Sequence, residues 1–181
     1  PLSGVKVADF SRVLAGPLAT MTLADLGADV IKVERRGVGD DTRQWGPPWS
    51  EHGSSYFASV NRSKRSIELD LRDPDDLAVA RRLAAEADVV VENFLTGTMD
   101  RLGLGYDEIA QANPGVVYCS ITGFGSQEGA SLPGYDFVVL RHLKRAMRYR
   151  FTALASFTSF AISFTLGFPL VTGGTVRYWI Y

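Results

Sequence analysis

Four stretches of this sequence place residues able to hold an anion directly after an apolar run. Ser11-Arg12, Arg35-Arg36, Asn93-Phe94 and Thr122-Gly123-Phe124-Gly125 each stand where such a run ends and the chain turns away. Arginine offers forked, charge-assisted hydrogen bonds to phosphate or carboxylate, and glycine lets backbone N–H groups approach closely. If the apolar runs are parallel strands of one sheet, these ends share one edge and can converge on one crevice. That combination suits a phosphorylated ligand. Taken singly, Arg35 and Arg36 read equally well as solvated surface charges; the recurrence at several strand ends favours an anionic ligand.

The elements that must position these residues begin with a βαβ unit over residues 5–34. Val5-Lys6-Val7-Ala8 has the alternation of a short strand. Ala15-Gly16-Pro17 suits a turn with Pro17 at the first helical position, where its missing N–H is not needed. Leu18, Met21, Leu23, Ala24 and Leu26 keep a helical spacing, and Gly27 suits the helix stop. Asp29-Val30-Ile31-Lys32-Val33-Glu34 is the second strand. The turn lacks GxGxxG, so Gly16 and Pro17 could also do no more than make the turn.

Residues 35–53 are polar and rich in Gly and Pro, longer than a simple connection needs. Trp45 and Trp49 within them read as docking points for the loop rather than as a ligand wall. Residues 54–61 form a short helix or an extended piece, 61–65 a basic turn, and 66–71 an alternating strand. Asp73-Pro74-Asp75-Asp76 opens a helix: Asp73 caps it, Pro74 takes the first turn, and acids sit at the positive end of the dipole. Leu77, Ala80, Leu83, Ala84 and Ala87 form its buried stripe. The apolar run 88–92 reads as a strand covered on both faces, and a helix over 106–112 precedes a strand over 116–121. Alternating strands and helices predict an α/β, Rossmann-like parallel sheet over residues 5–121.

With 46% hydrophobic and 22% charged residues and a net charge of -1, the chain is of soluble globular type, with no bulk attraction to nucleic acid. The single cysteine, Cys119, fits a reducing compartment and reads as a buried strand residue, not a nucleophile. His52, His142 and Cys119 have no metal-ligand spacing, and neither a GxSxG elbow nor a GxxxxGK[ST] loop occurs. No signal peptide is visible at the N-terminus, so a cytoplasmic location is expected.

The runs SRVLAGPLATMTLADLGADVIKVERRGVGDDTRQWGPP, NRSKRSIELDL, DVVVENF, LGLGYDEI, VYCSITGFG and PGYDFVV resemble the N-terminal part of the family III CoA-transferases, the CaiB/BaiF family. The resemblance runs from Leu2 to about Val139. It implies movement of coenzyme A from an acyl-CoA to a carboxylic acid, through mixed anhydrides and an aspartyl-CoA thioester. It further implies a Rossmann-like part that binds CoA, no metal, and an interlocked homodimer. Carried over by position, Val13 and Ala15 line the CoA path and Arg35 meets the adenine and phosphates. Leu69, Asn93 and Phe94 add wall, and Arg101 is a second cation. SRVLAGP, GDDTR and WGPP look most like members that handle dicarboxylates.

Related α-methylacyl-CoA racemases use a histidine where Tyr135 stands, and Tyr135 cannot replace it near neutral pH, because its reference pKa is about 10. The family's nucleophilic aspartate comes later than Gly134-Tyr135-Asp136, yet no Asp or Glu follows Asp136, which is placed rather to orient neighbours than to attack. The expected division is therefore a CoA-binding part at 1–139, incomplete against the family fold, and a divergent basic and apolar tail at 140–181. In that tail residues 151–176 carry no charge, but Thr, Ser, Gly and Pro dilute them and argue against a membrane span. A shifted reading frame or truncation explains the tail most simply. The alternatives are a non-catalytic CoA-binding module, a racemase-like enzyme, or a protein held to membranes by the tail.

Overall fold

The computed structural model describes residues 1–51 and 53–123. His52, Phe124, Gly125, Tyr135, Asp136 and the tail lie outside the described residues. The elements run β1 (Lys6–Asp9), α1 (Ala15–Asp25), β2 (Asp29–Arg35), a 3-10 turn (Asp41–Gln44), a small hairpin of β3 (Trp49–Ser50) and β4 (Gly53–Ser54), then α2 (Ser55–Asn61). They continue with β5 (Arg65–Leu69), α3 (Pro74–Ala85), β6 (Val89–Glu92), α4 (Thr98–Arg101), α5 (Tyr106–Ala112) and β7 (Val117–Ser120).

Five strands form one sheet in the order β5-β2-β1-β6-β7, and every pairing is parallel. The chain works outward from β1 through β2 to β5, then crosses back to place β6 on the other side of β1. The expected α/β sheet is therefore present, and its topological switch point lies between β1 and β6. Asp73 caps α3 as its sequence suggests, accepting from the N–H groups of Asp75 and Asp76. Ala80 and Ala84 of that helix are fully buried against Ala8, Phe10, Val33 and Val90.

The two faces of the sheet differ. The face toward α3 and α5 is apolar along its length. The opposite face starts apolar, with Val7, Val30 and Val91 packed against Ala24 and Ala28. Further along, the same face carries Asp9 on β1, two residues past Val7, and Lys32 and Glu34 on β2, two and four past Val30, all buried. Register makes Asp9 and Lys32 direct neighbours across the ladder.

Three local expectations need correction. Helix α1 starts at Ala15, so Pro17 lies inside the first turn rather than opening it. Cys119 is exposed, not buried: Val116 and Tyr118 pack beside α5, which turns Val117 and Cys119 to the opposite side of the sheet. Trp45 does dock, tilted against Tyr56 with ring centroids 5.3 Å apart, whereas Trp49 lies over Gly46 and stays mostly exposed. Among the described residues no helix is long and apolar enough to cross a membrane.

Candidate functional site

At the switch point the loops after β1 and β6 part, and side chains hold the first of them in place. Phe10 N–H donates to the Val91 carbonyl at 2.8 Å, ending the β1–β6 ladder. Asn93, just past β6, then grips the next residue twice. Its Oδ1 accepts from Arg12 N–H at 2.8 Å and its Nδ2 donates to the Arg12 carbonyl at 2.7 Å. The Arg12 guanidinium lies 4.5 Å over the Phe94 ring. Val13 follows with φ of 71°, a conformation that a β-branched residue rarely adopts.

Gly16 makes the next step possible. A Cβ there would overlap the Ser11 side chain, so α1 can begin directly beside the end of β1 only with glycine at this position. Leu14 gives α1 no side-chain cap, which leaves the positive end of the helix open at the crevice. Ala15 is exposed there and Val13 is half-buried.

The expected cations occupy different settings. Arg36 is tied to Asp76 of α3 at 2.5 Å. Arg35 is half-exposed and pairs at 3.2 Å with Asp41, itself half-exposed, a contact that costs little to open. Arg101 closes α4 on the far side of β1; it is exposed, with Nη2 donating to Thr98 Oγ1 at 3.0 Å. Leu69 stands beside Arg35 in the β2–β5 register, but its side chain is only 5% exposed and belongs to the core. Its carbonyl, accepting from Arg36 N–H, is the part that reaches the edge.

Beneath this edge lies a buried ionic layer that reading along the chain did not single out. Lys32 and Asp40 pair at 2.9 Å with side chains 1% and 0% exposed, and Lys64 and Asp9 pair at 3.0 Å with 2% and 0%. Lys32 also donates to the Ser11 carbonyl at 2.8 Å. Lys64 also donates to the Pro17 carbonyl at 2.8 Å and to Asn61 Oδ1 at 2.9 Å. Asp9 further accepts from Thr20 Oγ1 at 2.6 Å and from the Ser11 hydroxyl. Burial alone would raise the Asp40 carboxyl, yet the Lys32 charge and the Thr42 hydrogen bonds hold it below the usual range. Glu34 is lowered likewise: burial opposes it, but Arg43 at 2.6 Å and Ser66 prevail. Burial brings the Lys64 ammonium down to about 8, against the attraction of Asp9. The signal was in the sequence. A lysine in the middle of an apolar parallel strand has no route to water and must find an acid.

The ends of β1 and β6 with an uncapped helix N-terminus, and the exposed Arg35 and Arg101, carry donors and cations of the kind that suit an extended anion. The family model described as CoA-transferase family III matches residues 2–143. Succinyl-CoA:glutarate CoA-transferase of Mus musculus is 52% identical over 139 residues, covering 76% of this chain and 32% of that protein. Formyl-CoA:oxalate CoA-transferase of Bradyrhizobium diazoefficiens is 41% identical over 175 residues, covering 97% of this chain and 38% of that protein. That alignment continues past Val139, where the sequence had suggested the likeness stops. A crystal structure of a CaiB/BaiF family protein from Brucella suis superposes with a TM-score of 0.71 at 50% identity, over 78% of this chain and 39% of that one. The chain thus spans about a third of the length of the curated relatives it matches. It belongs to CoA-transferase family III.

Proposed function

We propose that this chain carries the CoA-binding part of a CoA-transferase that moves coenzyme A from an acyl-CoA to a dicarboxylic acid. One observation carries the reading. The family model covers residues 2–143, which include the ends of β1 and β6 and the arginines, and an enzyme named for succinyl-CoA and glutarate is 52% identical over 139 residues. In this reading the adenine and phosphate end of CoA lies along the strand ends, with Arg35 and Arg101 as its cations. Val13, Ala15, Asn93 and Phe94 line its path. Residues 1–139 form the CoA-binding part, acyl-CoA and acid are the partners, and the site is cytoplasmic. The acyl group would pass to an aspartate of the enzyme. A second reading is a CoA-binding module that does no chemistry by itself.

Calorimetric titration of the chain with CoA tests the shared part of both readings. Binding is expected, and Arg35→Ala and Arg101→Ala should each weaken it by about 1.5–3 kcal/mol, roughly ten- to hundredfold. Both variants binding as the parent does would show that the site is elsewhere. Transfer of labelled CoA from succinyl-CoA to glutarate by the purified chain would remove the second reading.

A further inference from the structure

We propose that Lys32, Asp40 and Asn93 are positioning residues of the CoA site, which together clamp the backbone of Ser11, Arg12 and Val13 in the form that the ligand meets. This rests on the CoA reading above. Each clamp residue comes from a different element and takes a different link of the loop. Lys32 of β2 donates to the Ser11 carbonyl at 2.8 Å. Asn93, after β6, takes both the N–H and the carbonyl of Arg12. Asp40, before the 3-10 turn, accepts from Val13 N–H through Oδ2 at 3.3 Å. The same Oδ2 accepts from Lys32, so the two ends of the clamp are one ion pair.

Stability alone is a weak reason for such a pair, because a well-packed apolar pair often serves a core as well as two buried charges do. What an apolar pair cannot supply is a donor for Ser11 and an acceptor for Val13. The loop needs both. Val13 holds φ at 71° although it is β-branched, and a strained residue keeps such a conformation only where its surroundings over-determine it. Asn93 spends both ends of its amide on Arg12, so, beside the wall it adds, it acts through that residue. The dipeptide Asp40-Asp41 divides its work in the same direction. Asp40 faces inward to Val13, while Asp41 faces outward to Arg35.

The test compares CoA affinity with stability in the full chain. Lys32→Met/Asp40→Leu removes the clamp while filling its place with apolar volume. Its unfolding midpoint in urea should fall, because Ser11, Val13 and Thr42 lose buried partners. The variant should remain folded without urea while CoA binding falls at least about tenfold, as for a loop that is competent a tenth of the time or less. Affinity within about twofold of the parent in the double variant overturns the proposal. If the double variant does not fold, amide exchange in the parent decides. Arg12 and Val13 amides protected before CoA is added support a preformed clamp; amides that exchange freely until CoA arrives refute it. A parent that binds no CoA sinks the CoA reading, and the exchange measurement still judges the clamp.

Discussion

The two edges of the sheet use the same ion-pair chemistry in opposite settings. At the edge where the strands begin, Arg65 and Asp29 pair at 2.5 Å with side chains 65% and 51% exposed. Asp88 there accepts from the Lys6 N–H at 2.8 Å, also in the open. At the edge where the strands end, Arg35–Asp41 is open as well, but Lys32–Asp40 and Lys64–Asp9 are sealed from water. Exposed pairs are screened and contribute little, whereas buried ones pay heavily in desolvation and lose much when one partner goes. The molecule buries charge where the loops of the candidate site meet the sheet. Strand beginnings need only solubility; strand ends need a backbone fixed in an unusual form, and fixed charges with satisfied hydrogen bonds can do that.

The largest way to break this contrast is Asp40→Ala. It strands the Lys32 ammonium in a buried place, and urea unfolding should show a loss of about 3–5 kcal/mol. A loss as small as that of a surface pair would mean that water reaches Lys32 and the edges do not differ. Gly16→Ala acts on the same edge by volume. The new methyl meets the Ser11 side chain, and about 1–3 kcal/mol should be lost in the same measurement as α1 is pushed from β1.

Titration tests the buried charges in two pH windows. Lys64 is brought from 10.5 to about 8 in the folded chain. Between those values the unfolded chain holds more protons, so this group's contribution to stability rises with pH across that window. Parent stability relative to Lys64→Met should therefore climb from pH 8 to 10.5, and a flat difference would place Lys64 in contact with water. Glu34 and Asp40 give the same sign in an acidic window. Their folded carboxyls are lowered, so the stability they contribute is present above the unfolded values and lost as pH falls through the folded ones. The smallest effect belongs to the open edge: Arg65→Ala should cost under about 1 kcal/mol in urea unfolding.

Much of the scaffold was legible along the chain. The cap of α3 by Asp73 and the span of α5 at Tyr106–Ala112 follow from neighbours within a turn of one another, which sequence spacing displays directly. Strand ends bearing Arg12, Arg35 and Asn93 could be marked for the same reason, since parallel strands bring their ends to one edge. The misreadings have a different origin. Nothing near Cys119 says which side of β7 the helices leave uncovered, and nothing near Leu69 says that its side chain turns into the core.

Pairing of the buried charges was decided by tertiary structure alone. Asp9 stands beside Lys32 in the ladder, yet Lys64, 55 residues along the chain, takes it, and Lys32 goes to Asp40. The sequence by itself determined that β2 carries a lysine among apolar residues and that an acid must answer it. Which acid answers depends on how the segments after β2 and before β5 fold back over the end of the sheet. That is a matter of long-range register and loop approach, on which spacing along the chain is silent.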